Sequence, residues 1–352
     1  MAIPTRSAGI RLRHAAGAAL ALLAACGPVD DTGTGIEGPP LPPITDPAVA
    51  TERTVALAAA DLAYDPYRQV IYASVAASAS PPYANLVVEI DPADGTIGRT
   101  VSVGNDPGEL ALSDDGRSLY VAHRGDPSVS RVGLDAFTVE ARVDLPGNGF
   151  ASDVAALPGT PRAFAVALRR SAADSASAGV YVFDGTSARG AAVTTDSGAT
   201  RIEAAGTSAA LFGYDARTGR ARFTVFGVTS VGVAVSDSAG GLAPRLDFRA
   251  AGGRVYFTDG TVLDPDLPVT IIGRFPASGL VAPDPDRGRV FFLAPGGTSI
   301  RAFSAGTRAL LREYTAPGTG GAVGSLIRLG GTGLAFRTPT QVVIVPTARV
   351  LQ

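Results

Sequence analysis

The sequence predicts one large all-β domain that is built from many short strands. Hydrophobic residues make up 46 % of the 352 residues, which is ample for a core, while 43 glycines and 26 prolines supply many turns. This mixture is typical of closed or layered β-structures rather than of helical bundles. The third observation is a signature that returns seven times after the first 60 residues, in which an apolar residue is followed ten positions later by an aromatic or aliphatic one.

The signature is spaced like the blades of a propeller. The seven pairs are Leu62/Tyr72, Leu110/Tyr120, Val154/Phe164, Ile202/Phe212, Leu246/Tyr256, Val281/Phe291 and Leu334/Ile344. Successive first members are 35 to 53 residues apart, which suits a repeat of four short strands. The sequence therefore predicts a single seven-bladed β-propeller of four-stranded antiparallel blades over residues 51–352.

The first two blades are the best formed. In blade 1 the turn at residues 65–68 separates two apolar runs, and in blade 2 the turn at residues 113–116 (Ser-Asp-Asp-Gly) does the same. Glycine at the end of such a turn supplies the positive φ angle that tight hairpins need. Blade 4 lacks a good turn, blade 5 is short, and blade 6 carries extra glycines, so the repeat is least regular there.

The sequence also predicts how the ring closes. The seventh signature begins at Leu334, which leaves blade 7 without its last strand. Residues 52–57 resemble residues 98–103, the last strand of blade 1. We therefore expect the N-terminal strand at residues 52–57 to complete blade 7, because closure removes the exposed sheet edges.

Residues 1–25 have the layout of a signal peptide. Arg6, Arg11 and Arg13 form a basic region, which precedes an apolar run at residues 15–25 that is too short to span a membrane. The run ends in Leu-Ala-Ala followed by Cys26, which resembles the lipobox of bacterial lipoproteins, and Cys26 is the only cysteine. The resemblance implies a lipid on Cys26, and Gly27 in place of Asp implies the outer membrane. Residues 26–50, rich in Pro and Gly, are predicted to be a disordered tether.

Several repeat segments are similar to a known group of propellers. Residues 113–116 (Ser-Asp-Asp-Gly) and 119–122 (Leu-Tyr-Val-Ala) resemble the YVTN-type repeats of bacterial propellers, which are related to the NHL and lactonase-like seven-bladed families. The resemblance extends over about residues 51–352 and is strongest in blades 1, 2 and 7. Members of this group include enzymes, surface proteins and scaffolds, so the resemblance implies a fold and not a function.

Composition argues against most enzyme chemistries. The chain has two His, one Cys and no Trp, and His14 belongs to the predicted signal peptide, so only His123 remains. Sites with two His or several Cys ligands are therefore excluded, as are tryptophan-derived quinone cofactors. The acidic pairs at residues 264–266 and 284–286 are interpreted as proline-containing turns, and neither a metal nor a cofactor is predicted. A net charge of −2 without a basic patch excludes a nucleic-acid partner.

One set of residues is predicted to surround the axis. The residue before each signature should lie near the mouth of the central channel, and these residues are Asp61, Glu109, Asp153, Arg201, Arg245, Leu280 and Gly333. Two positions further on, blades 4 and 5 have Glu203 and Asp247, which share a strand face with Arg201 and Arg245. The charged members predict either a site for a zwitterionic or sugar-like ligand, or a ring of ion pairs between blades.

The sequence thus favours a monomeric, lipid-anchored propeller of the cell envelope. We expect it to bind protein or polysaccharide and not to act as an enzyme. Two alternatives remain. One is a lactonase-like or lyase-like enzyme that uses carboxylates at the axial mouth, and the other is a subunit of an outer-membrane assembly complex.

Overall fold

The computed structural model describes residues 40–174, 176–193, 198–316 and 321–352. The predicted signal peptide, Cys26 and the tether up to residue 39 lie outside these ranges. Within them the chain forms seven four-stranded antiparallel sheets, each of which is one blade. The prediction of an all-β, seven-bladed propeller is confirmed.

The first four blades follow one another along the chain, each starting with its innermost strand. Blade 1 consists of β2 (Ala59–Asp65), β3 (Val70–Val75), β4 (Leu86–Ile90) and β5 (Ile97–Ser102). Blade 2 consists of β6 (Pro107–Leu112), β7 (Ser118–His123), β8 (Ser128–Gly133) and β9 (Thr138–Asp144). Blade 3 consists of β10 (Phe150–Ala156), β11 (Ala163–Arg169), β12 (Ser177–Asp184) and β13 (Ser187–Ala188). Blade 4 consists of β14 (Arg201–Ala204), β15 (Ala210–Asp215), β16 (Arg222–Thr229) and β17 (Gly232–Ala239).

The last three blades complete the ring, and blade 7 takes its outermost strand from the N-terminal end of the domain. Blade 5 consists of β18 (Phe248–Ala251), β19 (Arg254–Phe257), β20 (Thr261–Asp264) and β21 (Thr270–Arg274). Blade 6 consists of β22 (Leu280–Asp284), β23 (Arg289–Leu293), β24 (Ser299–Ser304) and β25 (Leu310–Thr315). Blade 7 consists of β26 (Gly324–Leu329), β27 (Gly333–Arg337), β28 (Val342–Pro346) and β1 (Arg53–Val55). Helix α1 (Thr347–Leu351) follows β28, and no helix in the described ranges is long and apolar enough to cross a membrane.

The seven innermost strands surround a common axis. Each contacts the innermost strand of the next blade, and β26 of blade 7 contacts β2 of blade 1, so the ring is closed. We call the face on which these strands begin the upper face. The face on which they turn into their second strands is the lower face.

The hairpin turns form where the sequence predicts them. In blade 2 the amide of Gly116 donates to the Ser113 carbonyl at 2.9 Å, and Gly116 has a φ of +64° that disfavours a residue with a side chain. The Ser113 hydroxyl donates to the Asp115 carboxylate at 2.6 Å. These bonds set the register in which β6 and β7 pair.

The second members of the signature form the core between blades. All of them are buried: Tyr72, Tyr120, Phe164, Phe212, Tyr256, Phe291 and Ile344. Their rings often stack on a neighbour, as where Tyr120 of blade 2 meets Phe164 of blade 3 with centroids 4.6 Å apart. The apolar signature therefore reflects packing of one blade against the next, and this packing is the main stabilising term.

The predicted closure of blade 7 is confirmed. Strand β1 pairs antiparallel with β28, and Val55 faces Val342 in this pairing. Val55 is buried in a cluster that joins blade 7 to blade 1 and includes Leu57, Leu62 and Ile344. The ends of the domain are thus held in one sheet.

The signature loses its register in blades 5 and 7. Leu246 lies two residues before β18, and Leu334 and Ile344 lie in the second and third strands of blade 7 instead of the first and second. The innermost strand of blade 7 is β26, in a glycine-rich stretch that the sequence assigns to blade 6. Gly333 is therefore not an axial position. The turn-rich composition of this stretch conceals its strand.

Residues 40–50 lie against the lower face, although the sequence predicts a disordered tether there. Asp46 pairs with Arg287 of blade 6 at 3.0 Å and accepts a hydrogen bond from the Gly331 amide of blade 7 at 2.6 Å. A Cβ atom at Gly331 would lie 2.6 Å from the Asp46 carboxylate, so a side chain there would displace this contact. Pro47 and Val49 are buried. Specific partners on the turns of blades 6 and 7 order this segment.

The ring closure can be tested with one pair of variants. Val55→Asp should lower the free energy of unfolding by about 3 kcal/mol, because it puts a carboxylate into the cluster that joins blades 7 and 1. Thr54→Asp, at the exposed neighbouring position of β1, should lower it by less than about 0.5 kcal/mol. Urea unfolding measures both, and equal effects would contradict closure by β1.

Candidate functional site

The innermost strands bring a ring of mostly charged residues to the axis near the upper face. One residue per blade occupies equivalent positions: Asp61, Glu109, Asp153, Arg201, Asp247, Leu280 and Ser325. The equivalence rests on repeated contacts. The Asp61 amide donates to the Ser74 hydroxyl at 3.0 Å, and the Asp247 amide donates to the Thr258 hydroxyl at 3.1 Å. Asp247 therefore replaces Arg245 as the ring residue of blade 5, and Ser325 replaces Gly333 in blade 7.

Three carboxylates of the axis each connect one blade to the next. The Asp61 carboxylate accepts a hydrogen bond from the Leu110 amide at 2.9 Å, and the Asp153 carboxylate accepts one from the Ile202 amide at 2.9 Å. Glu203 accepts one from the Ala250 amide. These carboxylates connect blades 1 to 2, 3 to 4 and 4 to 5, so they have a structural role in holding neighbouring innermost strands together.

Arginines neutralise the remaining acidic groups of the axis. The Glu109 carboxylate lies 3.0 Å from Arg124 and 3.8 Å from Arg201. The Asp247 carboxylate lies 3.9 Å from Arg201 and 3.8 Å from Arg249. Arg201 therefore bridges blade 2 to blade 5 across the channel.

Glu203 is paired in the same way, with Arg249 at 3.3 Å. Arg337 of blade 7 also lines the channel. The axis is thus a network of alternating charges in which Glu109 and Asp247 each have two guanidinium neighbours within 4 Å.

Burial in this network changes the acidity of its carboxyl groups. Burial raises the pKa of Asp153 to about 8 and that of Glu203 to about 7, because the charged forms are poorly solvated in the channel. Burial also raises the pKa of Asp61. Burial alone would raise the pKa of Glu109, but Arg124 and Arg201 outweigh it and hold that pKa below its usual value.

A cavity of about 670 Å³ opens above this network on the upper face, and we call it the mouth cavity. Its lining residues come from the starts of innermost strands in blades 2 to 5 and from the loops between second and third strands. They are Glu109, Arg124, Ala151, Ser152, Arg169, Thr200, Arg201, Ala216, Arg217, Thr218, Arg245, Leu246 and Asp247. A narrower axial channel of about 280 Å³ lies next to it and shares Glu109, Arg124, Arg201 and Asp247.

The charged lining of the mouth cavity is predominantly basic. Five arginines and two carboxylates line it. Arg124 and Arg201 are engaged with the axial carboxylates, and Arg217 pairs with Asp215. Arg169 and Arg245 have no ion-pair partner among the described residues. The cavity therefore offers guanidinium groups to a ligand while its acidic groups are already paired.

The structure brings the seven sequence-predicted residues into one region but gives them different roles. Glu109, Arg201, Arg245 and Asp247 line the mouth cavity. Asp61 and Asp153 line the axial channel, and Glu203 pairs with Arg249 beside it.

The sequence does not identify five arginines of the site, which are Arg124, Arg169, Arg217, Arg249 and Arg337. Arg249 stands two residues after Asp247, so the correct register of blade 5 would have identified it. The other four lie at the ends of second strands or just after them, where the signature carries no information.

Other chemically active residues lie apart from the mouth cavity. His123 is fully buried, and its Nε2 lies 2.9 Å from the Ser130 hydroxyl, which donates to the Val103 carbonyl at 2.8 Å. Burial lowers the pKa of His123 to about 4, so the imidazole is neutral at neutral pH. Asp264 accepts a hydrogen bond from the Asp266 amide at 3.1 Å, which is the turn contact predicted for this pair. No cluster of potential metal ligands occurs in the part of the chain that the structure describes.

The outermost strands of blades 5 and 6, and the turns that lead into the outermost strands of blades 4 and 5, expose apolar side chains. The most exposed are Val231, which is 67 % accessible, Leu267 at 60 %, Ile271 at 54 % and Leu310 at 51 %. Ile271 belongs to β21 and Leu310 to β25, the outermost strands of blades 5 and 6.

Comparisons with known proteins identify the fold alone. No protein-family model and no curated protein matches the sequence. A structure of hydrazine synthase from Kuenenia stuttgartiensis is similar, with a TM-score of 0.67 and 14 % identity over 83 % of this chain and 96 % of that one. The β-propeller domain of Cps50 (Swd1) from Myceliophteria thermophila has a TM-score of 0.63 and 13 % identity over 83 % and 98 %. The WD40 repeats of RRP9 have a TM-score of 0.63 and 14 % identity over 86 % and 99 %. The protein is thus a seven-bladed β-propeller and shares that general fold with these structures.

The ion-pair network predicts different effects for two arginines of the cavity. Arg201→Met should lower the free energy of unfolding by about 2 kcal/mol, because it leaves Glu109 and Asp247 with one guanidinium neighbour fewer. Arg245→Gln, at an exposed position without an ion pair in the described ranges, should change it by less than about 0.5 kcal/mol. Urea unfolding distinguishes the two, and equal effects would argue against a structural role for Arg201.

The raised pKa of Asp153 predicts a pH dependence of stability. In an unfolded chain aspartate titrates near pH 4, so proton uptake favours the folded protein below that pH, and this contribution is lost as pH rises through about 8. The Tm of the wild type should therefore fall between pH 5 and pH 9, and less so in Asp153→Asn, whose amide oxygen still accepts from Ile202. Asp144→Asn, at an exposed position of β9, is the control and should keep the wild-type slope. An unchanged slope in Asp153→Asn would contradict this assignment.

Proposed function

We propose that this protein is a lipid-anchored propeller of the outer membrane that binds a protein or polysaccharide of the cell envelope and carries out no chemistry itself. The observation that carries the proposal is the mouth cavity, a concave site on the upper face with arginines that have no ion-pair partner among the described residues. Propellers typically use such loop-built faces for binding, and pockets of this size take small ligands or the end of a larger one.

The anchor rests on the sequence. Leu-Ala-Ala-Cys at residues 23–26 follows a basic and an apolar segment, and Cys26 has no second cysteine with which to pair. A thiol that carries lipid is protected from oxidation in the envelope. Gly27 after the cysteine supports the outer membrane.

The absence of catalysis is supported by how the polar groups of the axis are engaged. Asp61, Asp153 and Glu203 accept backbone hydrogen bonds from the next blade, while Glu109 and Asp247 pair with arginines. His123 is buried in blade 2 and is not in the lining of the mouth cavity. A general base or nucleophile needs a polar atom that faces the substrate and is not already engaged in a hydrogen bond or ion pair.

One observation favours a second candidate, an enzyme like the lactonase or lyase members of the YVTN- and NHL-related propellers. Asp153 and Glu203 have raised pKa values and lie at the axis, and perturbed carboxyl groups often mark catalytic sites. On this alternative, Asp153→Asn would abolish turnover of a lactone substrate without lowering stability. The backbone bonds of both groups favour the structural role.

A protein partner is supported by the exposed apolar side chains on the outer strands of blades 5 and 6, such as Ile271 and Leu310. Exposed apolar surface of this kind is typical of interaction sites.

The proposal is tested by affinity purification of the tagged full-length protein from detergent extracts of native membranes. The anchored protein should capture an envelope protein or polysaccharide, and Leu310→Ser or Arg245→Gln should reduce that capture several-fold without a change in Tm. Arg349→Gln, an exposed arginine of α1, is the matched control and should capture normally. Loss with Leu310→Ser assigns a protein to the outer strands, whereas loss with Arg245→Gln assigns a ligand to the mouth cavity.

Two outcomes would contradict the proposal. Cys26→Ser should leave the membrane fraction, and a variant that stays there would rule out the lipid anchor. The second outcome is that the wild type captures no envelope component whose recovery falls with Leu310→Ser or Arg245→Gln. In that case the protein is not a binding module of the envelope.

A further inference from the structure

The carboxylates of the mouth cavity are paired, whereas two of its arginines are not, and this difference indicates the class of ligand. Its two carboxylates face the axial network, whereas Arg169 and Arg245 line it without an ion pair in the described ranges. We propose that the cavity binds an oxyanion group, either carboxylate or phosphate, on a small polar molecule such as an acidic sugar, and that Arg169 and Arg245 contact it. This inference rests on the proposed binding function and adds the chemistry of the ligand.

The pairing of Glu109 and Asp247 argues against a cationic or zwitterionic ligand. Glu109 already has Arg124 and Arg201 within 4 Å, and Asp247 has Arg201 and Arg249. A ligand ammonium group would have to displace a guanidinium from either carboxylate and leave that arginine without its partner. The sequence allows a zwitterionic or a sugar-like ligand. The pairing of these carboxylates disfavours the zwitterion, whereas a sugar that carries an acidic group is compatible with it.

Arg169 is held in place by uncharged groups, which do not neutralise its positive charge. Its guanidinium lies over the Phe150 ring, 5.9 Å from the centroid, and its Nη1 donates to the Ala172 carbonyl at 3.0 Å. Its Nε is buried and has no hydrogen-bond partner among the residues that the structure describes. Arg169 lines the mouth cavity and has no ion pair among the described residues, so a ligand oxyanion in the cavity would match its positive charge.

Arg245 lines the cavity from the loop that precedes β18 in blade 5, and its backbone is held in place. Its amide donates to the Ala216 carbonyl at 2.7 Å, and its φ of +62° is a conformation that disfavours residues with a side chain. Such conformations persist where the surrounding structure enforces them, and they are frequent in binding loops. The side chain is exposed, so a ligand reaches it without rearrangement of the core.

The chemistry of the two residues suits oxyanions. A guanidinium presents a planar fork of N–H donors that matches carboxylate and phosphate oxygens, and it stays charged at all physiological pH values. Because five arginines and only two carboxylates line the cavity, its net charge is positive, which attracts an anion before contact. A volume of about 670 Å³ admits a monosaccharide or the terminal residue of an acidic polysaccharide.

Four ligands that share a hexose ring test the inference by isothermal titration calorimetry at low salt. These are glucuronate, glucose 6-phosphate, glucose and glucosamine. Glucuronate or glucose 6-phosphate should bind, and the tighter of the two identifies the anion. Arg169→Gln and Arg245→Gln should each weaken that binding by about tenfold, the value expected for one charged hydrogen bond. Arg349→Gln is the matched control and should bind like the wild type.

Three results would overturn the inference: neither anion binds the folded protein, glucose or glucosamine binds as tightly as the anions, or Arg245→Gln binds like the wild type. Arg245 is exposed, so its variant remains informative if Arg169→Gln fails to fold. The two proposals fail separately. Capture of an envelope partner without anion binding would contradict this inference alone, whereas anion binding without a captured partner would contradict the envelope function alone.

Discussion

The pairing of β1 with β28 is the constraint on which the rest of the structure depends. Seven blades pack side by side only if the first and last meet, and here they meet because one strand from the start of the domain completes the last sheet. The closure fixes the distance between every innermost strand and the axis. It therefore fixes which side chains converge there, and it also sets the path of residues 40–50 over the lower face. Without it strand β28 would have an unpaired outer edge, and blades 1 and 7 would lose the strand that joins them, so that the axial network would lose its geometry.

Once the ring is closed, the axis imposes an electrostatic requirement. Seven innermost strands converge on a narrow channel, and five acidic side chains lie in it or beside it: Asp61, Glu109, Asp153, Glu203 and Asp247. Carboxylates removed from water must be neutralised, protonated or hydrogen-bonded. The structure uses all three solutions, since arginines pair with Glu109 and Asp247, burial raises the pKa of Asp153, and backbone amides of the next blade donate to Asp61 and Glu203. These contacts hold the blades together and also occupy the carboxylates of the site. Only basic groups therefore remain to contact a ligand.

The sequence predicts the fold well because the signature is a packing pattern. An apolar residue and an aromatic residue ten positions apart are the two sides of one hairpin, and each copy must bury its hairpin against the next blade. The prediction fails where that pattern is displaced. Leu246 precedes β18 by two residues, and β26 is concealed by glycines, so the axial positions of blades 5 and 7 are assigned to Arg245 and Gly333 instead of Asp247 and Ser325. The mouth cavity depends also on loops between second and third strands, whose positions follow from the closed ring and not from any local pattern.

The docking of residues 40–50 gives the propeller two unequal faces. This segment runs over the turns of four blades, from Leu41 beside Gly116 in blade 2 to Asp46 against Arg287 in blade 6. The domain thus covers part of its lower face with its own chain, whereas the mouth cavity opens on the upper face. Access is therefore one-sided: a long polymer can place its end in the cavity without crossing the polypeptide that leads into the domain, and a molecule that approaches from below meets a surface already occupied.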